Sequence, residues 1–340
     1  MARVISPPMH LHRSARRTLL LLSALALAAC AGGPPAPKPW AETAARELHL
    51  TLASFDADGR HVTVTRSAVA PATTPVVVYL PGLGQGSDTG QRWATAWAQA
   101  GYTVLTVQPL DADAAAWRSD LARTGEFREL GLLHYGATLR ADRLAALRRL
   151  VPTLRAAQPA LDWRHVALAG YEIGAQTALD ARADDGWQAV IAISPPATPA
   201  PARGAATLVI TSDVDNDPLG LLRNPAERRQ AFESFAPGSG WLLNLGGVAH
   251  AALAGTLAPD GWHEQDQHHG PMGGGMAGGR GGGGSGQQGP MGGGARGPRS
   301  GSATEAAQAD LREGLQLSRA FLDAQLRGTA MPNRDQLSAR

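Results

Sequence analysis

The stretch His165–Leu179, which reads H-V-A-L-A-G-Y-E-I-G-A-Q-T-A-L, decides the fold of this chain. It begins with an apolar run that suits a buried strand and ends with small, helix-forming residues. Between the two, Gly170 and Gly174 flank a turn of the form G-x-E-x-G. The pattern predicts a strand, a tight turn and a helix, with Glu172 held at the tip of the turn.

Strand-like and helix-like segments alternate on both sides of this turn. Short apolar runs without polar alternation indicate strands buried on both faces, and they are Val76–Leu80, Thr103–Val107, His165–Ala169, Ala189–Ile193, Thr207–Thr211 and Trp241–Leu245. Helical stretches separate them, at residues 89–100, 137–158, 173–184, 219–234 and 304–327. Leu48–Phe55 and His61–Val69 flank a turn with Gly59, as in an antiparallel hairpin. We therefore expect an α/β fold whose mostly parallel central sheet is flanked by helices and carries an antiparallel N-terminal hairpin.

The N-terminus has the features of a targeting segment. Four arginines, at positions 3, 13, 16 and 17, precede the apolar stretch Leu19–Ala29, which is too short to span a bilayer. The stretch ends in Leu27-Ala28-Ala29-Cys30, which resembles a bacterial lipobox, where the cysteine is acylated and becomes the first residue of the mature protein. We expect a lipoprotein signal peptide at 1–29, followed at 30–45 by the lipidated Cys30 and a Pro-rich tether.

This leader predicts where the protein resides. Two acyl chains anchor a protein stably, whereas one does not, so the membrane is the expected partner of Cys30. Ala31 follows the cysteine in place of aspartate. In lipoproteins of this kind that choice favours the outer membrane, and we expect the protein to face the periplasm. Cys30 is the single cysteine of the chain, so no internal disulfide and no other thiol nucleophile is available.

The charge of the chain excludes one class of partner. The formal net charge is +2, but residues 1–29 hold four arginines and no acids, so removing them leaves an excess of two acids. The alkaline isoelectric point of about 9.0 therefore belongs mostly to the leader. Since no basic patch with interleaved aromatic residues is present either, nucleic acid is not an expected partner.

A Gly-rich segment interrupts the C-terminal part of the chain. Residues 270–301 contain two G-P-M-G-G-G repeats and almost nothing apolar to bury, so we expect a disordered insertion. Just before it lie His263, Glu264, Asp266, His268 and His269, whose spacing matches no closed metal site and allows at most a weak surface site. We therefore assign no metal site. The expected domain spans 46–330, with a tail at 331–340.

With this order of elements and the turn at Glu172, the chain resembles the α/β-hydrolase superfamily, closest to its dienelactone-hydrolase and platelet-activating-factor-acetylhydrolase-like branches. The turn corresponds to the nucleophile elbow of that family, usually G-x-S-x-G, but the nucleophile position holds Glu172. The resemblance covers most of 45–330 and implies an ester-like small molecule as a ligand and no cofactor. Segment 111–135, between a strand and a helix, is expected to form part of a cap.

Leu80-Pro81-Gly82-Leu83-Gly84-Gln85-Gly86 directly follows the third predicted strand. It looks like the family's oxyanion loop, with Pro81 where histidine is common. The resemblance implies that the N–H groups of Leu83 and Ile173 point at a developing oxyanion. A phosphate site is the alternative use of a Gly-rich loop, but neither G-x-x-x-x-G-K-[ST] nor G-x-G-x-x-G is present.

Two further segments look like the family's acid and histidine loops. Leu208–Asp215 is a strand that ends in an acidic loop, and the family's spacing selects Asp215. Asp213 and Asp217 are left as alternatives, and one of them is a candidate cap for the helix that follows. Gly246-Gly247-Val248-Ala249-His250 follows the last strand and supplies His250. The predicted site is therefore Glu172, Asp215 and His250 in the order typical of the fold.

A glutamate at the elbow leaves three interpretations open. In the first interpretation, the scaffold has lost ester chemistry and acts as an envelope binding or structural protein. The Glu172 carboxylate then reaches His250 or accepts from the oxyanion N–H groups. Alternatively, Glu172 attacks an sp³ carbon as a carboxylate nucleophile. In the third interpretation, His250 or Glu172 activates a water as general base. Ser87, in the oxyanion loop, is a poor substitute nucleophile because it lies off the elbow.

Overall fold

The computed structural model describes residues 43, 45–255, 300–331, 335 and 337–340, with side chains of the last helix described from residue 305. Strands in this part of the chain form one nine-stranded sheet in the order β1-β2-β4-β3-β5-β6-β7-β8-β9. They are β1 (Leu50–Ala57), β2 (Arg60–Ser67), β3 (Pro75–Leu80), β4 (Thr103–Val107), β5 (Asp162–Tyr171), β6 (Ala189–Ile193), β7 (Ala206–Ser212), β8 (Gly240–Leu245) and β9 (Leu337–Ala339).

The direction of the strands identifies the fold. β1 pairs antiparallel with β2, and β2 pairs antiparallel with β4. From β4 through β3, β5, β6, β7 and β8, all neighbours run parallel. The exchanged positions of β3 and β4 behind an antiparallel hairpin are those of the α/β-hydrolase fold. The predicted fold class is therefore confirmed.

Helices cover both faces of the sheet. They are α1 (Gln91–Gln99), α2 (Asp111–Ala114), α3 (Asp120–Thr124), α4 (Phe127–His134), α5 (Ala137–Ala157), α6 (Ile173–Ala181), α7 (Gln230–Glu233), α8 (His250–Leu253) and α9 (Ser300–Arg327), with 3₁₀ turns at Ala116–Arg118 and Pro225–Arg229. Trp93 and Trp97 of α1 pack with Phe321 and Leu322 of α9 on one face. Leu147, Leu150 and Leu154 of α5 pack on the other face. Strands covered on both sides explain the uninterrupted apolar runs in the sequence.

Two segments differ from the expected elements. The helix expected over 219–234 is reduced to the 3₁₀ turn Pro225–Arg229 and α7. Asp217 accepts hydrogen bonds from the backbone N–H groups of Leu219 and Leu222, which holds the start of this segment in a turn. Pro225 has no N–H to donate to a helix that would run through it.

The second difference is at the C-terminus. Residues 331–340 were expected to be a tail, but Leu337–Ala339 forms β9 and pairs antiparallel with the edge of β8. The segment has only three paired residues, so its sequence carries no strand pattern. Within the described ranges, no helix is both long enough and apolar enough to cross a membrane.

Candidate active site

The elbow is a one-residue turn. β5 ends at Tyr171 and α6 begins at Ile173, so Glu172 alone joins them. Its backbone has φ 49° and ψ −111°, a conformation that costs a non-glycine residue about 1–3 kcal/mol. The Glu172 N–H donates to the carbonyl oxygen of Ile193 at 3.0 Å, which ties the turn to the end of β6.

Gly170 and Gly174 make this turn sterically possible. A Cβ atom on Gly170 would lie 2.3 Å from the carbonyl carbon of Gly174, and one on Gly174 would lie 2.1 Å from the carbonyl oxygen of Leu80. Both distances are far below van der Waals contact. The two predicted elbow glycines therefore occupy positions where helix, strand and loop approach too closely for any side chain.

The loop after β3 is held by hydrogen bonds on both sides of Leu83. The Gly82 N–H donates to Gln85 Oε1 at 3.0 Å, and Gln108 Nε2 donates to the Gly82 carbonyl at 3.1 Å. Trp117 Nε1 donates to the Leu83 carbonyl at 3.0 Å. These contacts fix the peptide planes on either side and aim the Leu83 N–H at the elbow.

The Glu172 carboxylate occupies the position toward which that N–H points. Its Oε2 accepts from the Leu83 N–H at 3.2 Å, and its Oε1 lies 2.7 Å from His250 Nε2. The Glu172 side chain is only 10% exposed. Both of the contacts proposed for a glutamate at this position, with the histidine and with an oxyanion donor, are thus made at once. Ile173, the residue expected to supply the second oxyanion donor, is fully buried at the start of α6.

Of the three candidate acids, Asp215 faces the histidine. Its Oδ1 lies 2.7 Å from His250 Nδ1, its Oδ2 accepts from Thr211 Oγ1 at 3.0 Å, and its side chain is fully buried. Asp213 is 58% exposed and pairs with Arg229 at the surface. Asp217 binds backbone N–H groups, so it is the one that caps the following segment.

Two residues that the sequence did not point to complete the buried site. Ser194, directly after β6, donates from Oγ to Asp215 Oδ1 at 2.9 Å and lies 3.0 Å from His250 Nδ1. Arg228 is 3% exposed, and its Nε lies 3.2 Å from Asp215 Oδ1. Arg228 Nη1 also donates to the carbonyl oxygens of Ser194 and Pro195, both at 3.1 Å. Asp215 is therefore held by hydroxyls, a guanidinium and the imidazole together.

The hydrogen-bond geometry requires His250 to carry two protons. Each ring nitrogen lies 2.7 Å from a carboxylate oxygen, Nδ1 from Asp215 and Nε2 from Glu172. With both carboxyl groups ionised, each of them only accepts, so both ring nitrogens donate, and only the imidazolium can do so. Two carboxylates then face two cations, His250 and Arg228, and the buried cluster is electrically balanced.

The electrostatics of the cluster agree with this protonation state. Burial by itself lowers the pKa of His250, but the charge of Glu172 and the hydrogen bonds to Asp215 and Glu172 outweigh burial and raise the pKa to about 9. Below that pH the histidine holds a proton that a general base would need to lack.

The arrangement differs at three points from what the serine mechanism of ester hydrolysis requires. No hydroxyl stands at the elbow, and the imidazole is already protonated. The Leu83 N–H that an oxyanion would use is taken by Glu172, whose charge would repel a second negative oxygen. The 2.7 Å contact between Glu172 and His250 also leaves no room for a hydrolytic water between them.

The segment 111–135 covers the elbow and the oxyanion loop, in agreement with the expected cap. Ala116 and Leu130 pack against Leu83, Ile173 and Leu219 in one buried apolar cluster. This cluster includes the side chains of Leu83 and Ile173, the two residues expected to supply the oxyanion donors.

A buried polar network fastens the cap to the rest of the domain. Asp113 in α2 lies 2.8 Å from His134 Nδ1, and Arg143 of α5 reaches both Asp113 oxygens at 3.3 Å. The Asp113 carbonyl accepts from the Gly84 N–H at 2.7 Å, and Arg143 also donates to Gln176 of α6 at 3.0 Å. The oxyanion loop, the cap and the elbow helix are thereby held as one unit.

The remaining sequence candidates lie outside this cluster. Ser87 Oγ accepts from Thr63 Oγ1 at 3.1 Å, and no contact within the described residues links it to His250. Cys30 and the residues from His263 to His269 fall outside the described ranges. Among the residues that are described, no group of three or more histidine, cysteine, aspartate or glutamate side chains is placed to hold a metal ion.

The chain has a distant likeness to solved structures. No protein-family model matches the sequence, and no curated protein matches it. Among solved structures, TT1662 from Thermus thermophilus has a TM-score of 0.42 at 13% identity, with 59% of this chain and 90% of that chain covered. XC6422 from Xanthomonas campestris, described as an α/β serine hydrolase without a lid, has a TM-score of 0.41 at 20% identity, with 59% and 86% covered. The strand order of the sheet remains the basis for the fold.

A carboxylate added from solution tests whether the Glu172 position is a carboxylate receptor. In Glu172→Ala at about pH 5.5, below the ordinary pKa of histidine, the His250 Nε2–H and the Leu83 N–H keep their places but lose their acceptor, so acetate should bind between them. We expect acetate at about ten times its Kd to stabilise this variant by about 1.4 kcal/mol in urea unfolding. Wild type and Glu172→Gln, in which a side chain of the same length fills the space, should show no such gain. Equal stabilisation of all three proteins would contradict the geometry.

Proposed function

We propose that this chain is a lipid-anchored cell-envelope protein that uses a hydrolase scaffold for binding and lacks conventional serine-esterase activity. The observation that supports this most is the double contact of the Glu172 carboxylate, with the His250 imidazolium and with the Leu83 N–H. One side chain removes the nucleophile, keeps the base protonated and fills the oxyanion site. The elbow glycines and the Asp215–His250 pair of a hydrolase scaffold are both present.

The location is proposed from the leader alone. Its arginines, its short apolar stretch and the Leu27–Cys30 lipobox suit an acylated Cys30 and an outer-membrane anchor facing the periplasm. The tether up to residue 45 would then hold the domain away from the bilayer. Labelling of the expressed protein with a fatty-acid analogue, compared with a Cys30→Ala variant, tests this assignment separately from any activity.

Turnover of an ester, epoxide and haloalkane panel tests the proposed loss of chemistry. Wild type should turn over none of these substrates, and Glu172→Ala should be equally inert. Glu172→Ser restores a hydroxyl beside His250 and frees the Leu83 N–H, so weak ester hydrolysis is expected from it, with a rate that rises as the histidine loses its proton.

The competing interpretation makes Glu172 a carboxylate nucleophile or a general base with His250 and Asp215. It predicts wild-type turnover that disappears in Glu172→Ala, and for a nucleophile a covalent ester on the peptide that contains Glu172, visible by mass spectrometry. Either result would overturn the proposal that the Glu172–His250 site is catalytically inactive, which we call the silent site. If wild type is inert and Glu172→Ser is active, the other groups of the hydrolase site are intact and Glu172 alone prevents turnover.

A further inference from the structure

A groove beside the candidate active site takes no part in the chemistry discussed so far. Its volume is about 770 Å³, within the range of roughly 300–1,000 Å³ that is usual for ligand sites. It lies between α4, the loop after β6 and the segment that leads into α7. Glu172, Leu83 and His250 do not line it. A ligand in this groove would therefore be held next to the blocked elbow and not inside it.

The walls of the groove carry charges of both signs. Arg128, in α4, contributes to one wall, and Arg223 lies at the entrance to the 3₁₀ turn. Glu227 and Glu233 contribute to the wall formed by that turn and α7. No ion pair involving either glutamate occurs within the part of the chain that the structure describes. Glu227 accepts from the Arg223 N–H at 3.2 Å and from Asn224 Nδ2 at 3.3 Å, and Arg128 donates to the Gly220 carbonyl oxygen. The two cations and two anions therefore have hydrogen bonds but no ion-pair partner among the described residues, and a ligand of mixed charge can supply one.

The rest of the lining is apolar with interspersed hydrogen-bonding groups. The apolar part consists of Leu132, Pro196, Ala197, Leu221, Leu222 and Ala226. Thr198, Asn224 and Gln230 supply hydroxyl and amide groups, which both donate and accept. An extended peptide backbone alternates N–H and C=O groups, so it can be matched by a lining of this composition, which a plain acyl chain would leave without partners.

Tyr135 connects the groove electrostatically to the elbow. It is half-buried and lines the groove, and it lies within the electrostatic reach of Glu172. Burial and the negative charge of Glu172 both raise the pKa of Tyr135, so its phenol stays protonated and can donate a hydrogen bond. A carbonyl group of a ligand is a suitable acceptor there.

We propose that this groove binds a short peptide of mixed charge. A basic side chain would lie toward Glu227 and Glu233, an acidic side chain toward Arg128 and Arg223, and apolar side chains between them. A neutral ester or fatty acyl ligand would fill the same volume but leave the four charges unpaired and partly desolvated. The inference deepens the proposed binding role and rests on it.

Calorimetry with the purified full chain tests the ligand class. The probes are the capped peptides acetyl-Lys-Leu-Leu-Glu-amide and acetyl-Gln-Leu-Leu-Gln-amide, together with methyl octanoate. We expect the charged peptide to bind about tenfold more tightly than the neutral one, a difference of about 1.4 kcal/mol, and its affinity to fall as salt is raised. Equal binding of the two peptides, tighter binding of methyl octanoate, or no binding of the charged peptide would each overturn the proposal.

Charge variants locate the binding. The double variant Glu227→Gln with Glu233→Gln, and separately Arg128→Gln with Arg223→Gln, should each weaken the charged peptide about tenfold. The control Asp185→Asn with Arg203→Gln changes two exposed charges that do not line the groove and should leave affinity unchanged. Affinity that survives both groove variants, or falls equally in the control, would contradict this site.

Separate measurements test the silent site and the peptide-binding groove, so failure of one proposal is distinguishable from failure of the other. Ester turnover by wild type would overturn the silent site and leave peptide binding as measured. Absence of peptide binding would overturn the groove assignment and leave the silent site intact. The peptide should be recovered whole by mass spectrometry after incubation, and its cleavage would contradict a role limited to binding.

Discussion

Replacing Arg228 by methionine is expected to remove about 3–5 kcal/mol of the free energy of unfolding. The guanidinium is 3% exposed, pairs with the fully buried Asp215, and donates to the carbonyl oxygens of Ser194 and Pro195. Methionine fills similar space but leaves two buried carboxylates facing a single cation, His250, and two carbonyls without a donor. Urea unfolding at neutral pH measures the loss.

Arg229→Met is the matched control for that variant. The neighbouring arginine pairs with Asp213, whose side chain is 58% exposed, and surface pairs of this kind are worth about 0–1 kcal/mol. If Arg228→Met were no more costly than Arg229→Met, Arg228 would not be the counter-charge that balances the site. Arg228→Lys should fall between the two, because it keeps the charge and loses the planar fork.

The free energy of unfolding is expected to fall by about 3 kcal/mol between pH 6.5 and about 9, owing to His250. Its pKa is raised in the folded protein from the ordinary value of 6.5 to about 9. A raised folded pKa means that the folded state holds the proton more tightly, so the stabilisation is complete below pH 6.5. It is lost as the pH rises through the folded value. Unfolding by urea at several pH values from about 6 to 10 measures the decline.

The Glu172→Gln variant distinguishes the contribution of the Glu172–His250 pair to the pH dependence of stability from general effects of high pH. The amide has the same length as the acid but no charge, so the pKa of His250 should drop and most of the decline in stability should disappear. Titration of the His250 ring by NMR in both proteins follows the same change directly. An identical pH profile in wild type and Glu172→Gln would show that Glu172 is not the partner that keeps the histidine protonated.

The elements of the fold were readable from the sequence because their signals are local. Buried strands need uninterrupted apolar runs, and the elbow needs glycines at 170 and 174, so both leave a pattern within a few residues. The prediction of a helix over 219–234 was wrong although the contacts that shape this segment are also local. Its apolar and charged residues suit a helix, but the Asp217 carboxylate holds the start of the segment in a turn through the N–H groups of Leu219 and Leu222.

The site was predictable only in part. Asp215 and His250 follow strand ends in the order of the fold, and the structure brings them within 2.7 Å. Ser194 left one faint signal, a polar residue at the carboxyl end of a buried strand. Arg228 left no signal in the sequence, since it stands among other arginines in a polar segment of the kind expected at the surface. It is buried because the folded chain packs it against Asp215.

The sequence by itself determined the α/β sheet, the position of the elbow and the presence of a carboxylate there, because these depend on residues that are neighbours in the chain. The tertiary structure decided what that carboxylate does. Its two partners, Leu83 and His250, are 89 and 78 residues away along the chain, and Arg228 joins through Asp215. Protonation of a buried histidine depends on which charges surround it in space, and that arrangement exists only once the sheet has brought its strand ends together.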